Sequence, residues 1–142
     1  MKGRILAIDY GGKRTGLAVC DEMRIVAHPL PAIISTTLLD TVKGIAEVVD
    51  GRSIKVILCG IPFLSDGTEG TQVANVRIFL AELRKVLGPE ILFEEIDERY
   101  TTKEAEGMWR KAGYSKKAAK EFLDSTAAVV ILREYLAQTE NY

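Results

Sequence analysis

Ile5-Leu6-Ala7-Ile8-Asp9-Tyr10-Gly11-Gly12-Lys13-Arg14-Thr15-Gly16-Leu17-Ala18-Val19 is the stretch that decides the fold. A short apolar run ends on one carboxylate, Asp9. A charge at the tip of an apolar strand costs desolvation unless something compensates it, and a divalent metal or a phosphate-binding turn would do so. The chain then turns over glycines and returns as a second apolar run. The two runs read as a hairpin with Asp9 at its corner.

Working outward, the pattern predicts strands over 4–10 and 15–20 and a short strand near 24–28 that ends at His28-Pro29. A helix over about 38–49 follows, opened by the capping-box-like Thr37-Leu38-Leu39-Asp40. Ile54-Lys55-Val56-Ile57-Leu58-Cys59 is rich in β-branched residues and reads as a buried strand that stops at Gly60-Ile61-Pro62. The polar loop Ser65-Asp66-Gly67-Thr68-Glu69-Gly70 leads to a helix over about 71–87. Its apolar positions Val73, Val76, Phe79, Leu80, Leu83 and Leu87 fall at three-four spacing, and Gly88-Pro89 stops it. Ile91-Leu92-Phe93 opens the last strand, which ends in Glu94-Glu95-Ile96-Asp97-Glu98-Arg99. Two helices, roughly 102–112 and 117–137, close the chain.

Strand–helix alternation in the second half predicts parallel strands with helical crossovers, and the first three strands are close enough to form an antiparallel meander. The expected fold is therefore α/β. A mixed five-stranded sheet is flanked by helices, the architecture of the RNase H-like fold, in one domain over 1–142. In open α/β sheets, sites lie beyond the carboxyl ends of the parallel strands. Asp9, Gly60-Ile61-Pro62 and Asp97-Glu98-Arg99 all stand at such ends and are expected to converge.

Composition sets broad bounds. The 142 residues are 47% apolar and 27% charged, ordinary globular usage, and long enough to bury a core. A net charge of -1 offers no global basic field. Basic residues cluster only locally, at Lys13-Arg14, Arg110-Lys111 and Lys116-Lys117 with Lys120. Cys20 and Cys59 each lie inside an apolar strand-like run and read as small buried hydrophobes in a reducing compartment. No segment has membrane-spanning length or the layout of a signal peptide, so a cytoplasmic location with no membrane partner is expected.

Asp124 is the third acidic element, in the otherwise apolar Phe122-Leu123-Asp124-Ser125-Thr126-Ala127-Ala128-Val129-Val130-Ile131-Leu132. Phe122, Leu123, Ala127, Val130 and Ile131 form its core stripe, and Asp124 lies beside the small Ala127 and Ala128. Two carboxylates at strand ends and one on a closing helix match the needs of two-metal phosphodiester hydrolysis. Two hard ions, roughly 3.5–4 Å apart, clamp the attacking and leaving oxygens. Magnesium, or manganese in its place, takes such oxygen ligands without histidine. The single histidine, His28 before Pro29, reads as a strand-end residue. The metal ligands are expected among Asp9, Glu98 and Asp124. The acidic pair Asp97-Glu98 is catalytic as a pair, with the choice of ligand between them open. Arg99 can hold a phosphate or orient a carboxylate. Thr101 with Glu104 fits a capping box, so Thr101 and Thr102 combine a helix start with a place near the site. Candidate nucleic-acid contacts are Lys13, Arg14, Arg99, Thr101, Thr102, Lys116 and Lys117.

Asp9-Tyr10-Gly11 with Lys13-Arg14-Thr15-Gly16, Gly60-Ile61-Pro62 with Asp66-Gly67, Asp97-Glu98-Arg99-Tyr100-Thr101-Thr102, and Asp124 with Ala127-Ala128 resemble the YqgF/RuvX family. This is the Holliday-junction-resolvase-like group of the RNase H-like superfamily. The resemblance covers essentially the whole chain; each motif is short, but four in order are specific. It implies a magnesium-dependent nuclease that matures the 5′ end of pre-16S ribosomal RNA, with active-site roles for Asp9, the Asp97-Glu98 pair and Asp124. Thr15 departs from the larger aliphatic residue common at that position, without touching the acidic motifs.

Three other readings are weighed against precursor ribosomal RNA as the substrate. Resolution of branched DNA keeps the chemistry but calls for a two-fold dimer, and the sequence leaves monomer and homodimer open. The Asp9 hairpin also resembles the phosphate-binding hairpin of actin-like ATPases, which need a second domain for which this chain is too short. A non-catalytic RNA-binding module would not need every acidic motif, and all are present.

Overall fold

The computed structural model describes residues 2–98 and 123–139. Five strands build one mixed sheet: β1 (Arg4–Asp9), β2 (Arg14–Cys20), β3 (Ala27–Ile34), β4 (Ile54–Ile61) and β5 (Leu92–Asp97). Their spatial order is β3-β2-β1-β4-β5. The first three strands form the antiparallel meander, while β4 and β5 run parallel to β1. Helices α1 (Leu38–Val49) and α2 (Thr71–Leu87) are the crossovers between the parallel strands, and α3 (Thr126–Thr139) closes the described chain.

Strand alternation splits the core in two. Leu6, Ile8, Leu17, Ile57, Cys59 and Ile61 pack with Val42 and Ile45 of α1 and with Val73, Val76, Phe79, Leu80 and Leu83 of α2. Ile5, Ala7, Ala18, Cys20, Val56 and Leu58 face Ala128, Val129, Ile131 and Leu132 of α3. Because both faces are covered, β1 and β4 read as continuous apolar runs rather than alternating ones. Cys20 and Cys59 are buried free thiols on opposite faces, which keeps them apart. Among the described residues no helix is long and apolar enough to cross a membrane.

The three-four stripe of α2 is buried as its spacing predicts, except that Leu87 at the end is only half-covered. Thr37 caps α1, its side chain accepting from the Asp40 N–H at 3.2 Å. Two elements differ from expectation. The third strand starts later and runs on past both prolines to Ile34. Residues 22–26 are a turn held by the Asp21 carboxylate, which accepts from the N–H groups of Met23, Ile25 and Val26. Pro29 and Pro31 are tolerated because β3 is an edge strand, where a missing N–H can face solvent. The closing helix, expected to carry Asp124, begins only at Thr126; Asp124 lies in a 3-10 turn over Leu123–Ser125. The expected helix over 102–112, the stretch 117–122, and the candidate contacts Arg99, Thr101, Thr102, Lys116 and Lys117 lie outside the described residues.

Candidate active site

Asp9 ends β1 with Gly16 of β2 opposite it on one side. On the other side β4 runs parallel with Cys59 beside Ile8, which brings Gly60 alongside Asp9. By the two-residue period of a strand, Asp9, Gly16 and Gly60 all point to the α3 face. Both flanking positions therefore lack a side chain, and each vacancy is used by a neighbour. A Cβ on Gly16 would collide with the backbone carbonyl of Asp124. A Cβ on Gly60 would collide with the Glu98 carboxylate.

Glu98 reaches this position from the far side of β4. The β4–β5 ladder pairs Ile61 with Asp97, and the Glu98 N–H donates to the Ile61 carbonyl at 3.3 Å, extending the pairing one residue past the strand. Glu98 then folds its side chain across Gly60 to hydrogen-bond with Asp9. Alternation sends Asp97, one residue earlier, to the opposite side of the pleat. Of the acidic pair, it is Glu98 whose carboxylate meets Asp9.

The two carboxylates are half-buried and crowded, and both titrate high. Glu98 is pushed up to about 8 by burial first, then by the Asp9 charge, the hydrogen bond to Asp9 and the Asp97 charge. Burial also raises Asp9, while the hydrogen bond from Glu98 offsets part of that rise. At neutral pH the pair therefore holds one proton, with the Glu98 carboxyl donating to the Asp9 carboxylate. The Cys59 thiol on the opposite face is buried and pushed well up, with Glu98, Asp9 and Glu95 adding to the effect of burial; it is inert as a nucleophile.

Asp124 meets Gly16, the strand partner of Asp9, through its backbone, while its carboxylate points elsewhere. Its Oδ1 faces Arg14 Nη1 at 3.6 Å, with the two side chains 40% and 65% exposed. An ion pair so open to water is weak and easily exchanged. Among the described residues no group of three or more metal-ligating side chains is assembled, so the expected three-carboxylate cluster stands as a pair plus a neighbour. Ser125 fixes that neighbour. Its buried hydroxyl accepts from the Leu17 N–H at 3.1 Å and donates to the Leu30 carbonyl at 2.6 Å. These two backbone groups lie where the β2–β3 register slips, so Ser125 bridges a break in the ladder and pins the turn carrying Asp124 to the sheet.

The Asp9–Glu98 pair lies at one end of a cleft of about 400 Å³ that wraps over the sheet edge toward α2. Tyr10, Gly11, Gly12, Pro62, Gln72 and Asn75 line it further. The Gly60-Ile61-Pro62 segment thus reaches the site as expected. Lys13 and Arg14 line a separate depression with Ser35 and Thr36. The Thr15 hydroxyl closes the β1–β2 turn, donating to the Gly11 carbonyl at 3.3 Å.

Hard oxygen donors pressed together until they share a proton fit a hard divalent cation, which would take the proton's place; such ions are held by one or two carboxylates and several waters. Asp9 and Glu98 would be that donor pair, with the Asp124 carboxylate, which faces Arg14, the neighbouring acid. An RNase H-like sheet with acids at its C-terminal edge defines a class of phosphodiester-hydrolysing nucleases. Within it, this chain belongs to the RuvX family, described as Holliday junction resolvase, whose model matches residues 3–138. A protein of Syntrophus aciditrophicus named "Putative pre-16S rRNA nuclease" is 38% identical, over 94% of this chain and 87% of its own length. One of the same name from Lawsonia intracellularis is 37% identical over 97% and 96%. The fold is shared with Thermus thermophilus RuvC solved with a Holliday junction, at TM-score 0.60 and 16% identity over 96% of this chain and 95% of that one. It is shared too with the fowlpox virus Holliday junction resolvase, at TM-score 0.61 and 9% identity over 95% and 99%.

Sequence reasoning singled out Asp9, Glu98 and Asp124, which the structure places near one another, but missed the contacts of Ser125, Gly16 and Gly60. The glycines carried a signal: each interrupts an apolar strand on the face that Asp9 occupies.

Proposed function

We propose that this protein is a metal-dependent endonuclease that trims precursor ribosomal RNA, maturing the 5′ end of pre-16S RNA in the cytoplasm. The observation that carries the reading is the Asp9–Glu98 carboxylate pair, hydrogen-bonded across Gly60 at the mouth of a cleft. The names of the RuvX relatives support the RNA substrate. A magnesium or manganese ion held by Asp9 and Glu98, with Asp124 as the third ligand, would supply a polarised phosphate and an activated water. Asp9 and Glu98 would hold that ion at the strand tips in place of their shared proton. Asp124, whose exposed pairing with Arg14 is weak, would be the third ligand, and Arg14 would then be available to hold a phosphate oxygen. Gly60 keeps the path between the two acids open, and Ser125 keeps Asp124 in reach.

The family description favours branched DNA as the second substrate. The test offers a precursor ribosomal RNA fragment and a four-way DNA junction in parallel, with magnesium, with manganese and with chelator. Metal-dependent cuts in the RNA that vanish in Asp9→Asn protein are expected. Cleavage of the junction alone moves the substrate to DNA. If neither is cut, or if cutting survives chelation or Asp9→Asn, the metal-hydrolase reading fails.

A further inference from the structure

The cleft beside the carboxylate pair extends to α2, and its lining there combines Tyr10 and the amides Gln72 and Asn75 with the aliphatic Leu38, Val76 and Ile78. Tyr10 follows Asp9 directly, and its ring stacks on Phe79 with centroids 4.2 Å apart and planes within 11°. Phe79 is fully buried, so the stack is anchored in the core. With one face on Phe79, the half-buried Tyr10 ring presents its remaining surface to the cleft it lines. Gln72 and Asn75, exposed on successive turns of α2, line the same cleft; each amide offers both donor and acceptor. Among the described residues no lysine or arginine lines the cleft, so a phosphate would find no counter-charge from them. A flat neutral ring would find a stacking surface and amides for its edge. The volume of about 400 Å³ suits a single nucleotide.

We propose that this cleft is a nucleobase subsite. An unpaired base next to the scissile phosphate stacks on Tyr10 and is read at its edge by Gln72 and Asn75. The inference deepens the nuclease reading by selecting substrates with an unpaired nucleotide at the cut, as single-strand binders do when bases stack on aromatic platforms. Tyr10 is then a positioning residue: it holds the base so that the adjoining phosphate meets Asp9 and Glu98.

The test uses the full chain and a short single-stranded RNA carrying 2-aminopurine, whose fluorescence is quenched on stacking. Binding is read in chelator and again in calcium, alongside a fully paired duplex of the same sequence. Wild type and Tyr10→Phe should quench the single strand and leave the duplex bright. Tyr10→Leu, which keeps apolar bulk on Phe79, should abolish quenching and bind roughly 5- to 100-fold more weakly. In cleavage assays it should raise KM while kcat holds, and Asn75→Ala should change which base is preferred. If Tyr10→Leu, folded by its melting temperature, quenches and binds as wild type does, Tyr10 is only core packing and the subsite is refuted. Cleavage by wild type without quenching likewise refutes the subsite while sparing the nuclease. Quenching without cleavage supports the subsite and overturns the hydrolytic reading.

Discussion

Two glycines decide what Asp9 can touch, and they should fail in different ways when given a side chain. At Gly60 the obstacle is the end of the Glu98 side chain, which can swing away. Gly60→Ala is expected to keep the fold, with melting within a few degrees of wild type, and to lose cleavage by 10-fold or more because the acids are parted. At Gly16 the obstacle is the Asp124 backbone, which cannot swing. Gly16→Ala is expected to lower the melting temperature as well as the activity. A Gly60→Ala protein that cleaves at the wild-type rate would show that the Asp9–Glu98 contact is not needed. Glu98 also makes a pH prediction. Its carboxyl titrates at about 8 in the fold against 4.5 when free, so between these values the native state holds a proton the unfolded chain has released. Stability of the metal-free protein therefore falls as pH rises through that window, the cost being absent below pH 4.5 and complete above about 8. Glu98→Gln removes the penalty. Denaturant unfolding in chelator should show wild type losing of the order of 2 kcal/mol against Glu98→Gln between pH 5 and 8. Parallel pH profiles for the two proteins would mean that the pair is not crowded in solution.

At the scale of elements, the 3-10 turn before α3 is the joint that matters. The β2–β3 register slips between Thr15 and Leu17, and there the Ser125 hydroxyl ties the two strands, accepting from the Leu17 N–H and donating to the Leu30 carbonyl. Ser125→Ala leaves the buried Leu17 N–H and the half-buried Leu30 carbonyl without that partner, a cost of about 1–3 kcal/mol. Thermal unfolding should register the loss, and cleavage should fall with it because Asp124 is no longer held beside Gly16. Full activity with lowered stability would assign Ser125 to the fold alone. Edge strand β3 shows how an element absorbs what its sequence discourages: two prolines survive because one side of the strand has no ladder to lose.

For the whole molecule, crowding the acids gives folding a penalty that the proposed ion would remove. Binding to the native state alone stabilises it by mass action, about 2.7 kcal/mol at a hundredfold excess over Kd. Magnesium or manganese is therefore expected to raise the melting temperature of wild type, to raise that of Asp9→Asn much less, and to leave metal-free Asp9→Asn at least as stable as metal-free wild type. An equal shift in both proteins would place the ion elsewhere. The chain's net charge of -1 implies that nucleic-acid contacts are local, so Lys13→Ala should flatten the salt dependence of RNA binding by about one unit of log–log slope.

The sequence by itself determined four of the five strands, the mixed topology and the helix α2, because these rest on period and length: continuous apolar runs for doubly covered strands, three-four spacing for helices, glycine and proline for stops; only β3 ran past the proline expected to stop it. It also placed Asp9 and the Asp97-Glu98 pair at strand tips, since a carboxylate ending an apolar run is visible in one dimension. What the tertiary structure alone decided is which of those acids meet. Choosing Glu98 over Asp97 needed the pleat and the register of β5 on β4. Aiming Glu98 at Asp9 needed a missing Cβ on the strand between them. Turning Asp124 toward Arg14 needed residues 110 positions apart in the chain to share one sheet edge. Register and parity are properties of paired strands, and a local pattern carries no record of its partner.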